Sequence, residues 1–217
     1  MSSIINIKKG TIMLPGNPRI LICPFCGTEK QIMSLISGNT FGAELWSDNK
    51  QIAPMLPEIS YVQKCPHCGK YYITGRQKVM YAKDGYSFEN GLLTYPEMKE
   101  AFTQLSEEGF LNEKEEINVR MMLHHAFNDY YYRTAEKKII SEEDKTLFHE
   151  NGLWLINNLI TDSVMKAEFY REIGEIETAK SILDSITVED EFLKRIVTGI
   201  KERLEVNNCQ VFKVQTS

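Results

Sequence analysis

The 217-residue chain is long enough for one large domain or two small ones, and 42% hydrophobic with 25% charged residues is the balance of a globular protein. Its net charge of −5 is unevenly placed: residues 1–90 hold 10 Lys/Arg against 6 Asp/Glu, a net of +4, and residues 91–217 hold 15 against 24, a net of −9. This balance argues against nucleic acid as the main ligand, because phosphate binding draws heavily on Lys and Arg, and no apolar run approaches the roughly 18–20 residues that span a bilayer.

The opening stretch MSSIINIKKGTIMLPGNPR has neither a continuous apolar core nor a small-residue cleavage site. No signal peptide and no membrane contact are therefore expected, and the expected compartment is the cytoplasm. Short strand-like runs at residues 4–7, 19–22, 61–64 and 71–74 alternate with turns. Asp84-Gly85 and Asn90-Gly91 are turn dipeptides that close hairpins or end domains. Glycines thin out beyond them, and the sequence divides into a β-rich domain over 1–91 and an α-helical domain over 92–217, an α+β chain.

Within the first domain one pentapeptide pattern, CPxCG, occurs twice: Cys23-Pro24-Phe25-Cys26-Gly27 and Cys65-Pro66-His67-Cys68-Gly69. Two cysteines separated by two residues turn both sulfurs toward one point about 2.3 Å away. Proline presets each turn, and glycine lets backbone amides approach sulfur. In a reducing compartment such pairs point to metal, not to disulfides. Cys23, Cys26, Cys65 and Cys68 are thus expected to bind one structural Zn2+ ion, in the manner of a zinc ribbon with its knuckles on hairpins. A redox CxxC would need an alternating strand and helix pattern that neither pair has. A catalytic zinc would need an open position that four thiolates do not leave. His67 is read as an exposed knuckle residue, not a ligand.

Between the knuckles lies an aromatic-polar insert that includes residues 38–44 and 45–57. Phe41, Trp46 and Met55 are expected to form the small core that a ribbon otherwise lacks. The other reading is a recognition surface built with Asn39, Thr40, Ser47 and Asp48.

Six helices are predicted beyond the boundary. Thr94 with Glu97 forms a capping box for the first, which stops at Gly109. Asn112 opens a long second helix containing His124, His125 and Phe127, and Ser141 with Asp144 opens the third. Thr161 or Asp162 caps a fourth that ends at Gly174, and a fifth runs from Glu175 to about Ile186. Thr187 and Asp190 cap the sixth, which carries Phe192, Ile196, Ile200 and Leu204 at helical spacing. Short connections make antiparallel hairpins of them.

One segment, Ala167 through the turn at Gly174 to Ala179, Leu183 and Ile186, looks like a single tetratricopeptide unit. Small residues let the two helices approach and Tyr170 fills the gap. Ser163 and Lys166 stand where that repeat has large apolar residues, and one clear copy implies a tetratricopeptide-like bundle, not an array. With the two knuckles and the loop TFGAELWSDNKQIAPMLPE, the chain resembles uncharacterised bacterial proteins that join an N-terminal CPxCG zinc ribbon to a C-terminal tetratricopeptide-like helical region. The resemblance implies an architecture without an established activity.

Enzymatic chemistry finds one candidate. His124, His125 and Asp129, with His149 and Glu150 further on, offer a metal or proton-sharing set, and His125 and Asp129 are one turn apart. HHAFND lacks the zincin order of two histidines four apart around a glutamate, and Met121, Met122, Leu123 and Phe127 mark the helix as largely buried. A packed, hydrogen-bonded role is therefore preferred to catalysis. Of the run Tyr130-Tyr131-Tyr132, one ring is expected at the surface, since three consecutive residues share no helix face. Cys209 is expected to be a free thiol. The preferred function is a zinc-binding protein-interaction (adaptor or scaffold) module whose helical half takes a protein partner. The alternative is nucleic-acid binding by the ribbon through Lys64, Lys70, Tyr71, Tyr72, Arg76 and Lys78. A metal-dependent enzyme using the His124/His125 helix comes last.

Overall fold

A computed structural model describes residues 13–109 and 111–215. The strand expected at residues 4–7 lies outside the described residues. Among the described residues nine short strands precede six helices, an α+β layout: β1 Leu14–Pro15, β2 Arg19–Ile22, β3 Glu29–Ile32, β4 Leu35–Ser37, β5 Glu44–Leu45, β6 Gln51–Ile52, β7 Val62–Lys64, β8 Tyr71–Ile73 and β9 Met80–Tyr81, then α1 Tyr95–Glu107, α2 Glu113–Tyr131, α3 Glu142–Asn158, α4 Ser163–Glu172, α5 Ile176–Ser185 and α6 Glu191–Glu205. The chain forms two compact units. One contains Met1–Glu44 and Gln51–Leu93, and the other contains Leu45–Lys50 and Thr94–Ser217. Six residues of the insert between the knuckles thus group with the helices.

In the N-terminal unit, β2 is the centre of a three-stranded sheet, β3-β2-β9, with β3 and β9 both antiparallel to it. β7 and β8 form a separate antiparallel pair, in which Gln63 lies opposite Tyr72. The core is small: Leu21, Ile32 and Tyr72 surround Cys23 and Cys65, with Ile59 half-buried beside them. A chain segment closes over it, since Met33 N–H donates to Glu89 O at 2.7 Å and Ser60 N–H to Asn90 O at 3.0 Å. Gly91 is required here. Its φ is 67°, and a Cβ would lie 2.1 Å from the buried Gln63 amide. The expected core of Phe41, Trp46 and Met55 does not form: Phe41 is 73% exposed and Trp46 belongs to the helical unit. The cysteines themselves occupy the place that those aromatics were expected to fill.

The helices begin where the caps predict. The Glu97 carboxylate accepts from the Thr94 amide and hydroxyl, and Asn112 and Ser141 accept from Glu115 N and Asp144 N. Asp162, not Thr161, caps α4, and Asp190 caps α6. Gly174, at φ 90°, reverses the chain between α4 and α5. There the fully buried Ala167 and Ala179 join Val164, Leu183, Ile196, Ile200, Leu204, Phe212 and Val214 in one apolar cluster. Tyr130, Tyr131 and Tyr132 are all half-buried, the partly buried amphipathic placement expected of a ring at the surface, and the Tyr131 hydroxyl donates to Asp144 at 2.9 Å.

Ala179 is fully buried in this hairpin. Ala179→Leu adds three carbons to a site with no accessible surface and is expected to lower the stability of the helical unit by about 1–3 kcal/mol. Urea denaturation followed by helical circular dichroism measures the change, and an unchanged midpoint contradicts the packing described.

Candidate metal centre

Each cysteine pair sits in the turn of a hairpin. β2 leads into Cys23–Gly27 and β3 leads out; β7 leads into Cys65–Gly69 and β8 leads out. The two turns share one hydrogen-bond plan. Cys23 N–H donates to Thr28 O and Gly27 N–H to Cys23 O, both at 2.9 Å; Cys65 N–H donates to Lys70 O at 2.9 Å and Gly69 N–H to Cys65 O at 3.1 Å. Gly27 and Gly69 have φ of 76° and 74°, which side-chain-bearing residues rarely adopt. Proline and glycine in CPxCG are therefore accounted for by the turn itself.

The four sulfurs all lie within 4.8 Å of one another, and among the described residues no other set of three or more ligating side chains does so. Cys23 Sγ is 3.7 Å from Cys68 Sγ, and Cys26 Sγ is 3.5 Å from Cys65 Sγ. Disulfide sulfurs lie about 2 Å apart, so these are not bonded pairs. A tetrahedral ion with bonds of about 2.3 Å places its sulfurs roughly 3.8 Å apart, close to what the turns provide. Sulfur is also met by backbone, since Cys68 N–H points to Cys65 Sγ at 3.4 Å. Burial pushes the Cys23 thiol up to about 12, while the Thr28 hydroxyl and amide bring Cys26 down to about 5. Four thiolates this close repel one another, and a cation among them removes that cost. Cys23 and Cys65 are buried, Cys26 and Cys68 exposed, and His67 is exposed beside them.

The histidine helix is not brought together as a metal or proton-sharing set. His125 Nε2 meets the backbone carbonyl of Asp48 at 3.2 Å. Asp129 instead takes Lys50 Nζ at 2.5 Å and Arg133 at 2.6 Å, and His149 pairs with Glu175 at 3.0 Å. His124 is stacked between Phe148 and Phe169, with centroids 4.6 and 4.5 Å away, and its Nε2 is 2.8 Å from Glu172 Oε2. Asn128 Nδ2 donates to that same oxygen and to Asp48 Oδ2, each at 3.0 Å, and Arg133 pairs with Asp48. His124, Asn128, Asp48 and Glu172 are all buried.

Two further buried charges escaped the sequence reading. Arg171 is held by Glu168 at 2.5 Å and reaches the carbonyls of Asn208 and Gln210, fixing the tail. Asp144, read as a cap partner alone, also accepts from Tyr95, Tyr131 and Lys99. Glu168 and Arg171 stand at an i,i+3 spacing, but the tail contacts of Arg171 and the α1 and α2 contacts of Asp144 have no local sequence signal, because they join positions far apart in the chain. Cys209 is a half-buried free thiol.

Burial sets the acid response of the helical unit. His124 is held down to about 3, chiefly by desolvation, so below its ordinary 6.5 the unfolded chain gains a proton that the folded one refuses, and stability falls with pH. Asp48 and Asp144 are both lowered to about 2 despite burial, Asp48 by His125 and Arg133 and Asp144 by hydrogen bonds from Lys99 and its neighbours. Their contribution is present above about 3.8 and is lost as pH falls toward 2. Glu172 acts oppositely: burial raises it well above 4.5, so its contribution is full below 4.5 and is lost as pH rises through the folded value. Between pH 6.5 and 4.5 Glu172 opposes both His124 and His125, whose value burial also lowers, so stability should fall with pH less steeply there than below 4.5. Glu172→Gln should remove the alkaline loss and steepen the acid decline below pH 6.5. Urea midpoints across pH 3–9 measure both, and identical profiles for variant and wild type contradict the assignment.

Comparison with protein-family models, with curated proteins and with solved structures gives no match to this chain.

Proposed function

We propose that the protein is a zinc-dependent protein-interaction module. One structural zinc ion on Cys23, Cys26, Cys65 and Cys68 holds the N-terminal unit as a zinc ribbon, and the helical unit takes a protein partner. The observation that carries the zinc reading is the gathering of four sulfurs at cross-pair distances of 3.5 and 3.7 Å. Four thiolates fill a tetrahedral zinc site and leave no position for water or substrate, which makes the ion structural.

Of the basic and aromatic series of the alternative reading, the aromatic members are used inside the unit, while Lys70, Arg76 and Lys78 stay exposed. Tyr71 and Tyr72 are buried, which removes them as platforms for stacked bases. Lys64 Nζ lies 5.2 Å from the Tyr71 ring centroid and Lys70 Nζ 4.6 Å from that of Phe25. The net −9 of residues 91–217 favours a partner with basic character.

Elemental analysis of the purified chain is expected to give one zinc. Cys65→Ser should lose it and unfold the N-terminal unit, because structural zinc contributes on the order of 10–16 kcal/mol in small domains. His67→Ala should keep the metal. A Cys65→Ser protein with full zinc content and native amide dispersion would end this reading. The full chain should bind nucleic acid no tighter than about 10⁻⁵ M at physiological salt; a sequence-specific complex near 10⁻⁸ M would put the alternative first. Crosslinked capture of the partner should map to residues 94–217.

A further inference from the structure

Residues Leu45–Lys50 are part of the helical unit although about 45 residues of chain separate them from α1. The segment is a turn closed on itself. Trp46 N–H donates to Lys50 O and Asn49 N–H to Trp46 O, both at 2.9 Å; Lys50 N–H caps Asp48 Oδ1 at 3.2 Å, and Asn49 adopts φ 62°. It arrives at the helices as a preformed shape.

Its surroundings read each of its residues. Leu45 packs on the apolar cluster of α4, α5 and α6, and its carbonyl accepts from Val214 N–H at 2.8 Å. The Trp46 ring lies under the Arg133 guanidinium, 5.0 Å to the centroid. Ser47 exchanges two hydrogen bonds with Phe212: its N–H donates to Phe212 O at 2.9 Å, and its Oγ accepts from Phe212 N–H at 3.1 Å. The Asp48 carboxylate, with no accessible surface, takes Asn128 Nδ2 and Arg133. Asp129 holds both Arg133 and Lys50.

We infer that α2 and the tail at Val211–Val214 form a recognition site for a protein turn carrying the series apolar, Trp, Ser, Asp, and that the chain's own Leu45–Lys50 is its resident occupant. A partner presenting such a turn takes its place. This rests on the reading of the helical unit as the partner-binding half. Two observations make the occupant exchangeable. Apart from the packing of Leu45, the contacts are an ion pair, hydrogen bonds and a cation–π contact; buried ion pairs give specificity with less stability than apolar packing of the same volume. The resident also fits incompletely: Trp46 Nε1, Arg133 Nε and Asn128 Oδ1 are buried at this site with no protein partner. A turn that adds an acceptor for Arg133 Nε satisfies the site better.

The test uses the full chain and a dye-labelled synthetic peptide of residues 44–51, read by fluorescence anisotropy. Wild type should bind none up to about 1 mM, because its own turn competes at high effective concentration. Trp46→Ala/Asp48→Ala removes the resident's anchors and leaves the receptor intact, so it should bind the peptide with a dissociation constant of roughly 10–100 µM. A peptide with asparagine in place of aspartate should bind at least tenfold more weakly, and adding Arg133→Met should abolish binding. A folded double variant that ignores the peptide, or binds both peptides alike, overturns the inference. Should the double variant lose its cooperative melt, inserting about 20 Gly/Ser residues after Gly42 keeps every contacting residue and weakens only the tether. The peptide should then compete at about millimolar concentration, and no competition there overturns the inference equally. Partner capture by residues 94–217 without peptide binding would sink this site alone and leave the proposed function standing.

Discussion

Strands of two to four residues bury too little surface to outweigh the ordering of the turns between them, so the N-terminal unit depends on the gathering of its four sulfurs. The same side chains can serve as ligands and as core, for Cys23 and Cys65 are buried against Leu21, Ile32 and Tyr72. This explains why the aromatics of the insert are free to lie elsewhere. With the sulfurs held at one point, β2–β3 and β7–β8 are fixed at their turn ends, and the strap at residues 87–91 has a surface to close on. Release the sulfurs and each hairpin stands alone, below the size at which isolated hairpins persist in water.

The helical unit is built on another principle. Its apolar cluster is ordinary, yet it also buries Asp48, His124, Glu168, Arg171 and Glu172. Each desolvated charge is costly unless paired, and pairing returns little beyond what was lost. What the pairs provide is uniqueness. Arg171 sets where the tail lies through the Asn208 and Gln210 carbonyls, Asp144 joins α1, α2 and α3 through Tyr95, Tyr131 and Lys99, and Asp48 sets the place of its turn. No apolar side chain of equal volume would distinguish these arrangements from neighbours shifted by a few ångströms.

What was legible in the sequence follows from range. The knuckles are local patterns whose spacing alone dictates that two sulfurs converge, and their repetition identifies the second pair. The helix caps are equally local, which is why Thr94, Asn112, Ser141 and Asp190 begin helices as read. Trp46 went to the wrong core because its neighbours in sequence are the ribbon's, while its neighbours in space are Arg133 and Lys213. Tyr71 and Tyr72 looked like a stacking platform because a period-two strand offers one face to solvent, and here both faces are covered. His124 and Asp129 looked like a set because they share a helix. Glu172 and Asp48, which claim His124 and the Asp129-bound Arg133, come from positions that no spacing rule connects to α2.

The two principles give the units opposite responses to alkali. Thiolates bind a cation only when deprotonated, so rising pH would strengthen the hold of these sulfurs on a bound ion. In the helical unit the same rise ionises Glu172, whose carboxyl lies against Asn128 and His124 with Glu168 and Asp48 as the like charges that hold its value up. An ionised Glu172 has to be accommodated beside the Asn128 amide that already serves Asp48, and its Oε1 has no protein donor. An ionised Glu172 accepts from Asn128 more strongly and repels the Asp48 carboxylate that shares that amide, so what weakens is the seat of Asp48. With an ion on the sulfurs, a chelator at neutral pH would act there and leave that seat alone, whereas alkali would loosen the seat and tighten the sulfurs' hold.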